Sequence, residues 1–340
     1  MTKFGRVRIE DVAREAQVSP ATVDRVLNGR AGVRPVTCER VWSAVARLNG
    51  AVVPANTQRS HDQALELDFI MAQGAGPSIE ENLRQATENI GGNATIRWHE
   101  VKRFNPEALA TKIRQVYQAG SDGIAVQTLE HPVVHAAVNE ATSSGVEVIA
   151  LLSDLTSSLR RCYVGIDNRA AGRTAGYLIG RLTCGREGKV AVIAGSDLYR
   201  SHEEREMGFR RLCREEFPNL EILDLVIGND EPEDNFRSMS NLLSANSDLI
   251  GVYNVGSGNR GIVRAVKECG RADTIVFIAH HLTSVSRQYL LDGVVDAVLN
   301  QDMPRLVEKV VSIFSQDEYS RSRGSEFLPF EIIVRENTPN

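Results

Sequence analysis

From Leu65 onward, short apolar runs alternate with stretches of helical spacing, and this alternation limits the fold more than any other feature of the 340 residues. The runs read as strands over 65–72, 94–101, 123–127, 146–152, 190–194, 221–227, 249–254, 274–279, 296–299 and 327–334. Helices of about a dozen residues fill most of the gaps. Strands spaced by helices in this way pair in parallel and are covered on both faces, so the body is α/β with parallel doubly wound sheets. It is too long for one small core and suits two lobes. In such sheets ligands lie beyond the carboxyl ends of the strands. The loops there are polar and unlike one another, and they carry Gln73, Phe104, Gln127, Asp154, Asp167, Asn254, His280 and Gln301. Amides, carboxylates and a few aromatics suit a hydroxyl-rich ligand, whose OH groups donate and accept while its ring face lies on an aromatic.

The segment ahead of this body has a different character. Over residues 9–28, Ile9, Val12, Ala13 and Ala16 recur at helical spacing, and Gln17-Val18 interrupts them. A second helix then starts with Ser19 as N-cap and Pro20 at its first position, where a missing N–H costs nothing. Val23, Val26 and Leu27 face back onto the first helix, leaving Pro20, Ala21, Thr22, Asp24, Arg25 and Asn28 outward. Two helices joined this way, with a polar outer face on the second, have the geometry that enters a DNA major groove. The pattern alone fits an ordinary antiparallel helix pair equally well.

Further residues decide between them. A third helix is expected over 36–48, followed by Asn49-Gly50-Ala51-Val52-Val53-Pro54. The run Val18-Ser19-Pro20-Ala21-Thr22-Val23-Asp24-Arg25-Val26-Leu27-Asn28-Gly29 resembles the headpiece of the LacI family of bacterial transcription regulators at nearly every position. The resemblance implies a small all-α helix-turn-helix headpiece (1–50), a hinge (51–64) and a two-lobed effector and dimerisation domain (65–340) similar to periplasmic binding proteins of type I. Lobe 1 is expected over about 65–162 plus 295–320, and lobe 2 over about 163–292 plus 325–340. It further implies a cytoplasmic homodimer on a near-palindromic operator, controlled by a sugar, polyol or sugar acid held between the lobes. Arg25 would read a base, Pro20 and Ala21 would touch base edges, and Ser19, Thr22, Asn28 and Thr37 would meet phosphates. Asp24, where the family usually has Ser, would accept from a cytosine amino group or hold Arg25 by a local pair.

The same resemblance assigns effector residues. Val164-Gly165-Ile166-Asp167-Asn168 is similar to the segment opening the second lobe, with Asp167 at the cleft. Arg205-Glu206-Met207-Gly208-Phe209 matches the family's Arg-x-x-Gly-Phe, whose arginine grips the ligand with its fork, and Asn300-Gln301-Asp302 matches the hinge segment that supplies an amide. Two positions depart from the family: Tyr253-Asn254 stands for Asn-Asp, and Ala279-His280-His281 for Phe-Asp. A histidine in place of an acid points to a polyol, a sugar acid or another anionic metabolite. The hinge departs too, since Ala51 replaces the usual Tyr and the position of the DNA-wedging leucine falls near His61, so DNA bending is not carried over.

Composition agrees with a nucleic-acid-binding head on an otherwise acidic chain. The net charge is -5, yet residues 1–60 hold ten Lys and Arg against five acids, leaving 29 basic and 39 acidic residues beyond them. A basic head on an acidic body points to a polyanion bound by the head alone. The five scattered cysteines read as reduced thiols. No run approaches the ~20 apolar residues of a membrane span, and the N-terminus lacks the apolar core of a signal peptide.

Other chemistries are weaker fits. Gly256-Ser257-Gly258-Asn259-Arg260-Gly261 satisfies a dinucleotide fingerprint formally, but it sits late in the chain and lacks the acid ~20 residues on. A metal on His280 and His281 would need neighbours in sequence to point at one ion, with no third ligand evident. No Gly-x-Ser-x-Gly elbow or phosphate loop occurs, so neither an enzyme nor a cofactor is expected. A metabolite-binding α/β enzyme and a regulator controlled by a protein partner are the rival readings.

Overall fold

A computed structural model of the chain describes residues 8–27, 33, 37, 40, 41, 44, 45, 48, 64–73, 79–88, 94–315 and 324–339. The hinge, Asn28 and most of the third headpiece helix lie outside the described residues.

In the headpiece, α1 spans Ile9–Glu15 and α2 spans Pro20–Leu27. The turn between them closes on Gln17, a left-handed residue at φ 51°. The Val18 amide bonds back to the Ala13 carbonyl at 3.0 Å, which satisfies an acceptor at the end of α1. Ser19 caps α2 as its residue type predicts, its Oγ accepting from the Thr22 amide at 3.1 Å. Val12, Ala13, Ala16, Val23 and Val26 form one cluster with Val41 and Ala44, positions of the third helix. Arg40 fastens that helix to the turn by donating to the Ala16 carbonyl at 2.7 Å. The outward face of α2 is what remains, with Ser19, Pro20, Ala21 and Arg25 exposed and Thr22 and Asp24 half-buried.

The body is two parallel α/β layers. The first sheet contains β1 (Leu65–Gln73), β2 (Ala94–Lys102), β3 (Gly123–Val126), β4 (Glu147–Leu151), β5 (Cys162–Gly165) and β12 (Gly324–Phe327), in the order β12-β5-β4-β3-β1-β2. The second contains β6 (Gly188–Ala194), β7 (Leu220–Ile222), β9 (Leu249–Asn254), β10 (Val276–His280), β11 (Ala297–Gln301) and β13 (Phe330–Ile333), in the order β13-β11-β10-β9-β6-β7. A short β8 (Val226–Ile227) also pairs with β6, and among the described residues only β13 runs antiparallel to its neighbour. Period-two alternation puts Leu67, Phe69 and Met71 on one face of β1 and Ile70 on the other, and each set lies in its own buried cluster. Both faces are covered, which is why these strands read as continuous apolar runs. Each fully buried Phe, Leu or Ile contributes roughly 1.5–3 kcal/mol.

Helices fill the gaps as anticipated: α3 Ile79–Glu88, α4 Pro106–Gln118, α5 Pro132–Ser143, α6 Asn168–Leu182, α7 Arg200–Glu216, α8 Pro232–Ala245, α9 Asn259–Glu268, α10 Ser284–Leu291 and α11 Met303–Phe314. Four of them carry Pro at the start.

The sheets correct the sequence reading in three places. The strand expected over 221–227 is two strands, because Leu223 turns aside to donate to Val190. Cys162–Gly165, four residues long, gave no separate signal. The run expected as one strand over 327–334 is broken at Leu328-Pro329: its first half extends the first sheet and its second half joins the other. The chain therefore changes lobes after β5, after β11 and after β12, so 295–301 lies in the second lobe and 324–327 in the first.

Helices α6 and α7 approach closely enough to exclude side chains. A Cβ at Gly172 would run into the backbone carbonyl of Arg205, and one at Gly208 into that of Arg169. Gly172→Ala is therefore expected to force the helices apart and lower stability by ~1–3 kcal/mol, against a gain in helix propensity of under about 1 kcal/mol. Urea denaturation reads this directly; an unchanged midpoint would show that the crossing is slack.

Candidate functional site

The carboxyl ends of both sheets face each other, and the loops beyond them touch. Arg103 of the first lobe forms an ion pair with Glu231 of the second. The Glu130 amide donates to the Leu198 carbonyl at 2.8 Å, and the Ser201 amide to Ser153 Oγ at 3.3 Å. Phe104 meets Tyr199 edge-on with ring centroids 5.6 Å apart. Between these contacts lies the candidate site.

Its floor is set by the last residues of three neighbouring strands, Asn254 of β9, His280 of β10 and Gln301 of β11. Gln301 is 2 % exposed, and neither atom of its amide has a hydrogen-bond partner. His280 Nε2 shares a 2.8 Å hydrogen bond with the Tyr253 hydroxyl, whereas its Nδ1 has none. His281 Nδ1 and the Tyr199 hydroxyl are likewise buried without partners. Each such group costs roughly 1–3 kcal/mol if nothing pairs with it. Their gathering at one place is the signature of a binding site.

Arg205, from the second turn of α7, is buried close enough to His280 and His281 to act on both rings electrostatically. It is 3 % exposed; its Nε donates to Asn168 Oδ1 at 2.8 Å and its Nη1 to the Val255 carbonyl at 2.7 Å. Asn168 is held in turn by the Tyr163 hydroxyl at 3.1 Å. Burial lowers the pKa of Arg205, with Tyr253, Tyr163 and Asp230 opposing that effect. Burial and the nearby guanidinium also hold His202 and His281 down at about 3 and His280 well below its ordinary value, so all three rings are neutral at pH 7.

The loops reach the site through unusual backbone. Phe104, Leu152, Asn229, Asp230 and His281 all have positive φ, between 53° and 62°. For side chains other than glycine this costs of order 1–3 kcal/mol, and such residues cluster where geometry matters more than stability.

Several expected ligand contacts are engaged otherwise. The Asp154 carboxylate is held by both Nε and Nη2 of Arg160, at 2.5 and 2.6 Å, and serves its own loop. Asp167 caps α6 by accepting from the Ala170 amide at 3.0 Å. Asn254 spends its amide on the following loop, donating to the Ser257 carbonyl at 2.9 Å and to Asn259 Oδ1 at 2.6 Å. Gln127 Oε1 accepts weakly from the Ala72 amide at 3.4 Å. Phe104 stands at the mouth against Tyr199, and Gln73 ends β1 with its side chain outside the described residues. Arg205, His280 and Gln301 are thus brought together, while Asp154, Asp167 and Asn254 shape the walls.

Asp230, His202, Asn168 and Tyr199 were not anticipated. Asp230 follows β8 and is 7 % exposed; its Oδ1 accepts from the Ser257 amide at 2.6 Å. The loop after 221–227 is a strand end that the sequence reading passed over, and reading it as the others were read would have found this carboxylate. The glycines of the dinucleotide-like run have packing roles. Gly258 turns the loop at φ 80°, and Gly261 lets α9 lie against the Pro232 carbonyl of α8.

Among the described residues no group of three metal-ligating side chains converges, and no helix is long and apolar enough to cross a membrane.

Comparison with known proteins gives two matches along the chain. Residues 8–49 match the profile "Bacterial regulatory proteins, lacI family", and residues 69–316 match "Periplasmic binding protein domain". The HTH-type transcriptional repressor PurR of Shigella sonnei (strain Ss046) is 27% identical over 249 residues, covering 69% of this chain and 68% of that protein. A solute binding protein from Burkholderia graminis C4D1M, solved in complex with D-arabinose, superimposes with a TM-score of 0.74 at 18% identity, over 82% of this chain and 98% of that one. GanP, a glucose-galactose binding protein from Geobacillus stearothermophilus, gives 0.73 at 19% identity, over 82% of this chain and 100% of that one. At such identities these two structures establish the fold of the body.

Proposed function

The chain belongs to the lacI family of bacterial regulatory proteins, with a periplasmic binding protein domain as its body, and from that premise we propose that it is a cytoplasmic homodimeric repressor gated by a small carbohydrate-like effector. It is a DNA-binding regulator, and the cleft is read as binding without reacting. The observation that carries the effector reading is the group of buried, unpartnered polar atoms on Gln301, His280, His281 and Tyr199 at the junction of two lobes.

Residues 1–50 would form the DNA-binding unit, 51–64 the hinge, and the two lobes of the body the sensor. Two copies of α2 would lie in the half-sites of a near-palindromic operator. Arg25, exposed in the last turn of α2, would read a base, with Pro20 and Ala21 fitting base edges and Ser19, Thr22 and Thr37 near phosphates. Ser19 and Thr22 already bond to one another through their hydroxyls at 2.8 Å, which fixes both at the start of the helix. Effector binding would alter the angle between the lobes and so the spacing of the heads, and linkage then requires DNA and effector to change each other's affinity by the same factor. PurR bears the name of a repressor, which supports that sign here.

Arg25→Ala is expected to weaken specific binding by ~1–3 kcal/mol per head and to relax the preference at one base. Gel-shift titration against a selected operator and a scrambled duplex measures both, and an unchanged preference removes Arg25 from the reading role. The gating is tested by screening sugars, polyols and sugar acids for thermal stabilisation, then measuring operator affinity with each hit. A hit that leaves operator affinity unchanged counts against the gating.

A further inference from the structure

Two buried charges of opposite sign face the cleft without an ion-pair partner. Of the other charges there, Asp154 pairs with Arg160, Arg103 with Glu231 and Glu204 with Arg200 at 3.2 Å, while Asp167, half-buried, is held by the α6 amide of Ala170. Arg205 has only the neutral oxygens of Asn168 and Val255, and its Nη2 has no hydrogen-bond partner among the described residues. Asp230 accepts only from the Ser257 amide, and its second carboxyl oxygen is equally without a partner. The two residues flank the same loop, since Arg205 holds Val255 and Asp230 holds Ser257.

The placement of Asp230 is specific. The residue has φ 54° and is buried, and its carboxylate lies where a Cβ on Gly195 or Gly256 would collide with it. Only glycines on the β6 and β9 loops leave that room.

On the reading that this cleft is the effector site, we infer that Asp230 is a ligand-gripping residue and that the effector is an uncharged polyhydroxyl compound. The carboxylate that the sequence lacks after β10, where His280 stands, arrives from the β8–α8 loop instead. Asp230 and Arg205 balance each other in charge. A monoanion on Arg205 would leave the Asp230 carboxylate buried and uncompensated, and a cation on Asp230 would do the same to Arg205. A hydroxyl group both donates and accepts, so a polyol gives Asp230 a donor and Arg205 an acceptor without adding charge. Adjacent hydroxyls do the same for the amide of Gln301 and the Nδ1 atoms of His280 and His281, each of which takes either role. Sugar acids, admitted by the sequence alone, are thereby excluded.

The test is calorimetric titration of the full-length protein with neutral probes (D-galactose, D-ribose, myo-inositol), acids (D-galacturonate, D-gluconate) and a zwitterion (L-serine), repeated on Asp230→Asn. At least one neutral probe should bind in preference to every charged one. Asp230→Asn should weaken that probe by about 10- to 100-fold, as expected for losing hydrogen bonds to a charged acceptor, while narrowing the gap between D-galactose and D-galacturonate. Its melting temperature at pH 7 should be unchanged or higher, because a buried charge has been removed; a merely structural carboxylate would give a lower one.

Preferential binding of an acid or of L-serine overturns the inference, as does neutral binding that Asp230→Asn leaves intact. A neutral probe that depends on Asp230 but does not alter operator affinity upholds the inference and defeats the gating. Silence from every probe counts against both.

Discussion

Arg205→Ala is expected to abolish the response to effector while leaving operator binding in place, at a cost in stability of the body. The guanidinium joins α6, through Asn168, to the loop after β9, through Val255. Truncation leaves those two acceptors unsatisfied, at roughly 1–3 kcal/mol each, and opens a cavity. Removing a buried cation recovers part of this, so a net loss of ~2 kcal/mol is expected. The headpiece is spared because its cluster around Val12, Val23 and Val41 shares no residue with the clusters of the body. Arg205→Lys separates the two effects: it keeps the charge but loses the planar fork. Its stability should fall less, while effector affinity still drops at least ~10-fold, or ~1.4 kcal/mol. Urea denaturation and effector titration of both variants are the measurements. A lysine variant that binds effector as the native protein does would sink the assignment.

The second large effect is loss of stability on mild acidification. His202 and His281 titrate near 3 in the folded chain and His280 lies well below its ordinary value, chiefly through burial. In the unfolded chain each titrates near 6.5. Below that value the unfolded state takes up protons that the folded state refuses, so stability rises with pH across the window from about 3 to 6.5. Each ring can contribute up to ~1.4 kcal/mol per pH unit there. Asp230, Glu204 and Asp296 act in the opposite sense. Burial raises their folded pKa, so protonating them at lower pH relieves a penalty. A net loss of roughly 3 kcal/mol between pH 6.5 and 5 is expected, a fall of ~6–12 °C in melting temperature for a body of this size. Calorimetry across pH 5–8 checks the slope, and His281→Asn should flatten it. A melting temperature that stays level from pH 7 to 5 would falsify the account.

What could be read in the sequence was whatever short-range chemistry fixes. Ser19 ahead of Pro20 announces the start of α2, and Val23 and Val26 at helical spacing identify its inner face before any partner is seen. Repeated apolar runs between helical stretches identify the parallel sheets, because burial on both faces leaves no polar alternation. Strand ends and a motif singled out Arg205, His280 and Gln301 as candidates, and all three are buried in the folded chain.

Only the tertiary structure decided how the polar groups at those ends are spent. Asp154, Asp167 and Asn254 look as available in sequence as Gln301, yet Arg160, the α6 amides and the 256–259 loop already occupy them. Asp230 came into the cleft through a left-handed turn and the room left by two glycines from other strands. The crossing after Leu328-Pro329 depended on which sheet edge was still open. Periodicity and capping are determined within a few residues of chain, whereas the pairing of a buried polar atom is settled by elements tens of residues apart. The sequence therefore determined the two-part regulator, and the folded chain decided which buried carboxylate and which guanidinium were left without an ion-pair partner.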